Sequence, residues 1–198
     1  DGDGVVDGAF IVHAGSGAEQ NNGDDDMIWS HRWVLNEDIE LDGVTLHGYT
    51  TEPEDGRIGV FVHELAHDLF GLPDLYDTRN PDEVDDYSAG LGDWSVMASG
   101  SWGGWRIDAQ YAGRYPTHFD AWSKIQAGFI DPEVIDENLT NFQVRHGQYA
   151  YILYPNGEEG SEYFLLEHRT NYYQNGFMFN YQTPGEGLAI FHVDERQN

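Results

Sequence analysis

The sequence predicts an α+β fold. Three observations carry that expectation. Apolar and β-branched stretches crowd the N-terminal part, one strong helical pattern stands in the middle, and short strand-like runs alternate with polar turns through the last third. In chain order, Val5 to His13 (VVDGAFIVH) reads as a buried strand, rich in the residue types that suit a pleated surface. Gly15 to Asp26 is a loop of Gly, Asn and Asp, and Gly43 to Tyr49 (GVTLHGY) supplies a further strand. Arg57 to Phe70 (RIGVFVHELAHDLF) is the helix: apolar residues recur around it, Gly71 follows as a stop, and Pro73 lies just beyond. Leu72 to Gly104 is irregular and rich in Asp, Gly and Ser, and a loop of that length inside a compact domain points to function. Thr117 to Phe129 (THFDAWSKIQAGF) forms a second helix, and QYAYILY, EYFLLEH and GLAIFHV supply the strands of the tail.

Composition narrows the function classes. With 198 residues, 39% of them hydrophobic, and 6 Trp, 12 Tyr and 10 Phe, the chain can bury a core and is not disordered. No apolar run approaches the roughly 18 residues of a membrane span, so no membrane insertion is expected. Asp and Glu number 36 against 9 Lys and Arg, a formal net charge of −27 that repels nucleic acid and anionic membranes. Three causes of that acidity compete: carboxylates neutralised by bound calcium, adaptation to a saline medium in keeping with Lys124 as the single lysine, or solubility alone. The absence of cysteine excludes disulfides, a thiol nucleophile and thiolate-ligated zinc, but is compatible with export. The chain opens inside what reads as a metal loop, so it is expected to be a fragment of a longer precursor, and the lack of a signal peptide carries no weight.

The chemistry centres on His63-Glu64-Leu65-Ala66-His67. On a helix, positions i and i+4 share a face one turn apart, so both imidazoles reach one ion. A catalytic zinc needs only three protein ligands and a water, and Glu64 stands beside the first histidine as general base. Chance yields such a spacing about 0.03 times in a chain of this composition. For the third ligand, Asp74, Asp77 and a carboxylate farther along stay open on the residues alone; the bland role for Asp74 is a turn residue after Pro73. Asp1, Asp3 and Asp7 in DGDGVVD resemble the first half of a calcium loop without its closing Glu, and Asp24 to Asp26 and the group Asp82, Glu83, Asp85 and Asp86 are further calcium candidates. Met97 reads as a core gap-filler. His31, His118, His168 and His192 read as structural, although His31 in WSHRW could line a cleft.

HELAHDLFGLPDLYD followed by DWSVMASGSW resembles the immune inhibitor A family of bacterial secreted metallopeptidases. DGDGVVDGAFIVHAG and IWSHRW before the helix, and PTHFDAWSKIQAGF, EYFLLEHR and GEGLAIFHVDE after it, extend the likeness over nearly the whole chain. The resemblance implies a zincin-like domain of two lobes, about 1–71 and 72–198, with the cleft between them and a central active-site helix. It also implies zinc, structural calcium, export, a propeptide and accessory modules, and endopeptidase action on proteins or peptides. Met97 would lie in the turn beneath the zinc, as in metzincin-like enzymes. Such a helix has two residues between its second His and the Gly. Here Asp68, Leu69 and Phe70 make three, a shift of one. The resemblance puts an Asp or His as third ligand three residues after the Gly, a place that Asp74 holds, so it implies Asp74 first and Asp77 next. Two rivals stand beside the enzyme: a non-catalytic calcium-stabilised binding or surface module, whose mark would be a lost His or Glu64, and a purely structural zinc, which lacks a nameable fourth ligand.

Overall fold

The computed structural model describes residues 2–21, 23–24, 26–155, 157–174 and 177–196. Strands β1 (Phe10–His13), β2 (His31–Leu41) and β3 (Val44–Pro53) form one sheet in the order β1-β3-β2. β2 and β3 make a hairpin across Asp42 and Gly43, both at positive φ (53° and 84°). A two-residue turn with both φ values positive twists in the same sense as the strands, which is why Asp-Gly suits it. β1 runs parallel to β3, pairing Phe10 with Thr50 and His13 with Pro53.

Helix α1 (Ile58–Phe70) follows directly and packs on this sheet and on the turn Ser99–Trp102. The chain then winds irregularly to α2 (Ala121–Gln126), which Asp120 caps by accepting from the Ser123 amide. Beyond it come β4 (Glu133–Val134), β5 (Tyr151–Leu153), β6 (Glu162–Arg169), the hairpin of β7 (Tyr172–Gln174) and β8 (Phe177–Phe179), and β9 (Gly187–Asp194). A second sheet has the order β4-β5-β6-β9. The architecture is α+β, with few helices.

Two small cores hold it. Ala66, Leu72, Val96 and Met97 pack beneath α1, and Ala121, Ala150, Tyr163 and Leu165 join α2 to the second sheet; Trp122 touches both. Two expectations are corrected. The strand expected over Val5 to His13 is ordered as β only from Phe10, apart from a bridge between Val5 and Thr45, and Ile11 and Val12 are about half exposed (48% and 52%). β1 is an edge strand, and of its apolar side chains Phe10 meets α1, edge-on to Phe61. The second helix is shorter than its pattern, because the Asp120 cap sets its start and Gly128, at φ 70°, lies just past its end. No helix among the described residues is long and apolar enough to cross a membrane.

Candidate metal centre

α1 ends where Gly71 turns left-handed (φ 63°), and the amides of Gly71 and Leu72 return to the Ala66 carbonyl. That reversal gives the Ala66 carbonyl two donors and sends Leu72 to Asp74 back along the helix. Near its start, α1 depends on Gly59. A Cβ there would stand 1.9 Å from the Ser101 carbonyl oxygen, so the helix can approach the Ser99–Trp102 turn this closely only with glycine.

The reversal brings three side chains together. His63 Nε2 and His67 Nε2 are 3.1 Å apart, and Asp74 Oδ1 lies 3.0 Å from the first and 3.3 Å from the second. A tetrahedral zinc with bonds of about 2.0–2.1 Å spaces its ligand atoms by about 3.3 Å, so the donor set fits such an ion. Among the described residues this is the one group of three His, Asp or Glu whose ligand atoms lie within 4.8 Å of one another. Each ring is turned by a backbone carbonyl. His63 Nδ1 donates to Val96 O at 2.8 Å and His67 Nδ1 to Leu72 O at 2.5 Å, which leaves both Nε2 lone pairs facing the shared centre. Met97, fully buried, packs with Ala66, Leu72 and Val96 and receives the Leu75 amide on its carbonyl.

Electrostatics follow from this crowding. Burial pushes the Asp74 carboxyl up, but hydrogen bonds from His63 and His67 outweigh it and hold the group well below the carboxylate range. His67 is lowered by burial and raised more by Asp74 and the Leu72 carbonyl, so its net shift is upward. Glu64 is raised chiefly by burial, with His63 and His67 opposing. Asp77 does not join the histidines. Its carboxylate takes Arg79 in a bidentate pair and is held at about 2 by those hydrogen bonds.

Two hollows meet at the centre, and both are lined by His63, Glu64 and Tyr76. One, about 290 Å³, adds Trp29, Tyr87 and Trp102; the other, about 430 Å³, adds His31, Arg32 and Asp74. Tyr76 went unnoticed in the sequence. Its ring stacks 6.4 Å from that of His63, and the only sequence signal is its place two residues after Asp74. Glu52 was missed as well. It is fully buried at the end of β3, neither oxygen has a hydrogen-bond partner of good geometry among the described residues, and burial, then the charge of Glu64, raises its pKa to about 8 against a weaker opposing pull from Thr50.

The other candidates scatter. His31 lines the cleft with Nδ1 on the Trp29 carbonyl, His118 and His168 line a separate cavity, and His192 pairs with Glu162. Asp1 and Asp25 lie outside the described residues. Asp3 accepts from the Val5 amide, Asp24 from that of Asp26, and Asp86 meets Arg79. Neither Asp3 nor Asp7, nor the acidic run from Asp82 to Asp86, enters a three-ligand group among the described residues.

Comparison with known proteins adds three findings. Residues 1–130 match the family model described as immune inhibitor A peptidase M6, catalytic domain. Immune inhibitor A of Bacillus thuringiensis subsp. alesti is 40% identical over 136 residues, 62% of this chain and 18% of that protein. Pre-pro-metalloprotease PrtV of Vibrio cholerae serotype O1 is 38% identical over 136 residues, again 62% of this chain and 14% of that protein. The matched part thus spans less than a fifth of either relative's length.

Proposed function

The chain belongs to the immune inhibitor A peptidase M6 family, and from that premise we propose that it is the catalytic part of a secreted zinc endopeptidase. The observation that carries the proposal is the convergence of His63 Nε2, His67 Nε2 and Asp74 Oδ1 beside the half-buried carboxyl of Glu64. Zinc held by these three residues would supply Lewis acidity, polarising a carbonyl and lowering the pKa of water toward about 7. Two neutral imidazoles and one carboxylate leave such a centre a single net positive charge, which preserves that acidity. Glu64 takes the proton of the attacking water and returns it to the leaving amine. Its raised pKa suits both halves of that transfer. The carbonyls of Val96 and Leu72 keep the imidazoles in the ligand tautomer, and Met97 keeps the floor rigid.

The two hollows that share His63, Glu64 and Tyr76 give a protein substrate room on both sides of the base. A division into lobes of about 1–71 and 72–198, calcium at Asp1, Asp3 and Asp7, a propeptide and export belong to the same proposal. The test is Glu64→Gln. It should retain the metal, measured by elemental analysis, and lose most cleavage of an unfolded protein such as casein. A variant that holds zinc and cleaves at the parental rate sinks the mechanism.

A further inference from the structure

Away from the metal centre, a cavity of about 540 Å³ opens between α2, β6 and the loop that precedes β5, with His118, Phe119, Lys124, Phe129, His168 and Arg169 among its walls. Its charge runs against that of the molecule. The chain carries a net −27 with only 9 Lys and Arg, yet two of those cations, one of them the only lysine, stand at this wall, and among the described residues no carboxylate lines it. We propose that this cavity binds a carboxylate carried on an apolar body the size of an aromatic ring, at a site separate from the metal centre.

Each wall has its part. Glu167, buried outside the lining, links both cations: its Oε2 is 2.8 Å from Lys124 Nζ and its Oε1 3.0 Å from Arg169 Nε. The terminal nitrogens of Arg169 donate to the carbonyls of Trp94, His118 and Phe119, so the guanidinium is fixed and contributes charge. Among the described residues the Lys124 ammonium has Glu167 as its one hydrogen-bond partner, and an ammonium carries three donors. Among the described residues the buried Nδ1 of His168 has no hydrogen-bond partner.

Burial, then the charges of Lys124 and Arg169, hold His118 down at about 4. Glu167 and the buried Asp120 counter the two cations, so what the wall offers an acid is the donors of Lys124 that, among the described residues, Glu167 leaves unused. Phe119 and Phe129, edge to face at 5.8 Å, supply the apolar wall. A metal is disfavoured, because no three ligand atoms of these histidines and carboxylates converge among the described residues and the nearest charges are cationic. A carboxylate desolvated beside a buried ammonium gains a charge-assisted hydrogen bond, while its ring covers apolar surface.

This inference stands apart from the peptidase proposal. The ligand chemistry has two sources, the C-terminal residue of a peptide or a free aromatic acid. The experiment titrates the chain with N-acetyl-L-phenylalanine, N-acetyl-L-phenylalanine amide, 3-phenylpropionate and inorganic phosphate, following histidine ring signals by NMR. At least one of the two carboxylates should saturate below about 5 mM, with the amide and phosphate about tenfold weaker or more. Tighter binding of N-acetyl-L-phenylalanine identifies a peptide C-terminus, and tighter binding of 3-phenylpropionate a free acid.

Lys124→Met should weaken the bound acid about tenfold. Should it fail to fold, Gln148→Glu remains. Gln148 is an exposed lining residue, so the change adds a carboxylate to the cavity mouth, and binding should weaken about threefold or more. No saturation up to about 20 mM overturns the proposal, and so does equal binding of the amide. Indifference to Gln148→Glu does the same, because it would put the acid in the metal cleft instead.

Discussion

Glu52 offers a sharp physical test, because its environment sets a sign as well as a size. It is fully buried, and burial, followed by the charge of Glu64, raises its pKa from 4.5 to about 8. The folded state therefore keeps a proton that the unfolded chain gives up. The stability that this group contributes is complete below pH 4.5 and is lost as pH rises toward about 8. Each pH unit inside that window costs about 1.4 kcal/mol. Working the two titrations through, Glu52 should reduce parental stability by about 3 kcal/mol between pH 5 and pH 7.5. Glu52→Gln cannot titrate. Its amide also lacks good partners and costs about 1–3 kcal/mol, but by a similar amount at every pH. The informative quantity is thus the difference between the two stability curves. Urea unfolding of chelator-treated parent and variant, at half-unit steps from pH 5 to 7.5, measures it. The variant should gain on the parent steadily as pH rises. Parallel curves would mean that Glu52 is ionised in the fold, and the reasoning from burial would be wrong.

Three further outcomes follow from named contacts. Asp74→Ala should lose bound zinc on dialysis against a weak chelator, whereas Asp77→Ala, which frees only Arg79, should keep it; the reverse result would move the third ligand. Gly59→Ala, ordinarily favourable in a helix by about 1 kcal/mol, should destabilise here by about 1–3 kcal/mol in thermal melts and loosen the metal, because the added Cβ meets the Ser101 carbonyl oxygen at 1.9 Å. Calcium at Asp1, Asp3 and Asp7 would stabilise by about 2.7 kcal/mol at a hundred times Kd, so equal melting temperatures with and without millimolar calcium would remove that ion from the proposal.

Local physics made part of the protein legible. The helix bearing His63 and His67, the base between them and the glycine that stops it depend on spacing within one turn and on a residue that tolerates positive φ, and α1 runs within a residue of its expected bounds. The strands of the tail were readable for the same reason, since β6 and β9 alternate or concentrate apolar residues over their own length. The β2–β3 hairpin was legible too, through Asp42-Gly43, but went unread. Tertiary structure decided what spacing could not. Asp74 and Asp77 are both carboxylates a few residues past the same glycine, and only the path of the chain sends one to the histidines and the other to Arg79. The exposure of β1, the isolation of Glu52 and the gathering of Lys124, Arg169 and His168 at one cavity are likewise invisible along the chain. A dihedral preference or a helical period is a property of neighbours in sequence. The desolvation of a charge and the partner it meets depend on segments dozens of residues apart, which only the packed chain brings together.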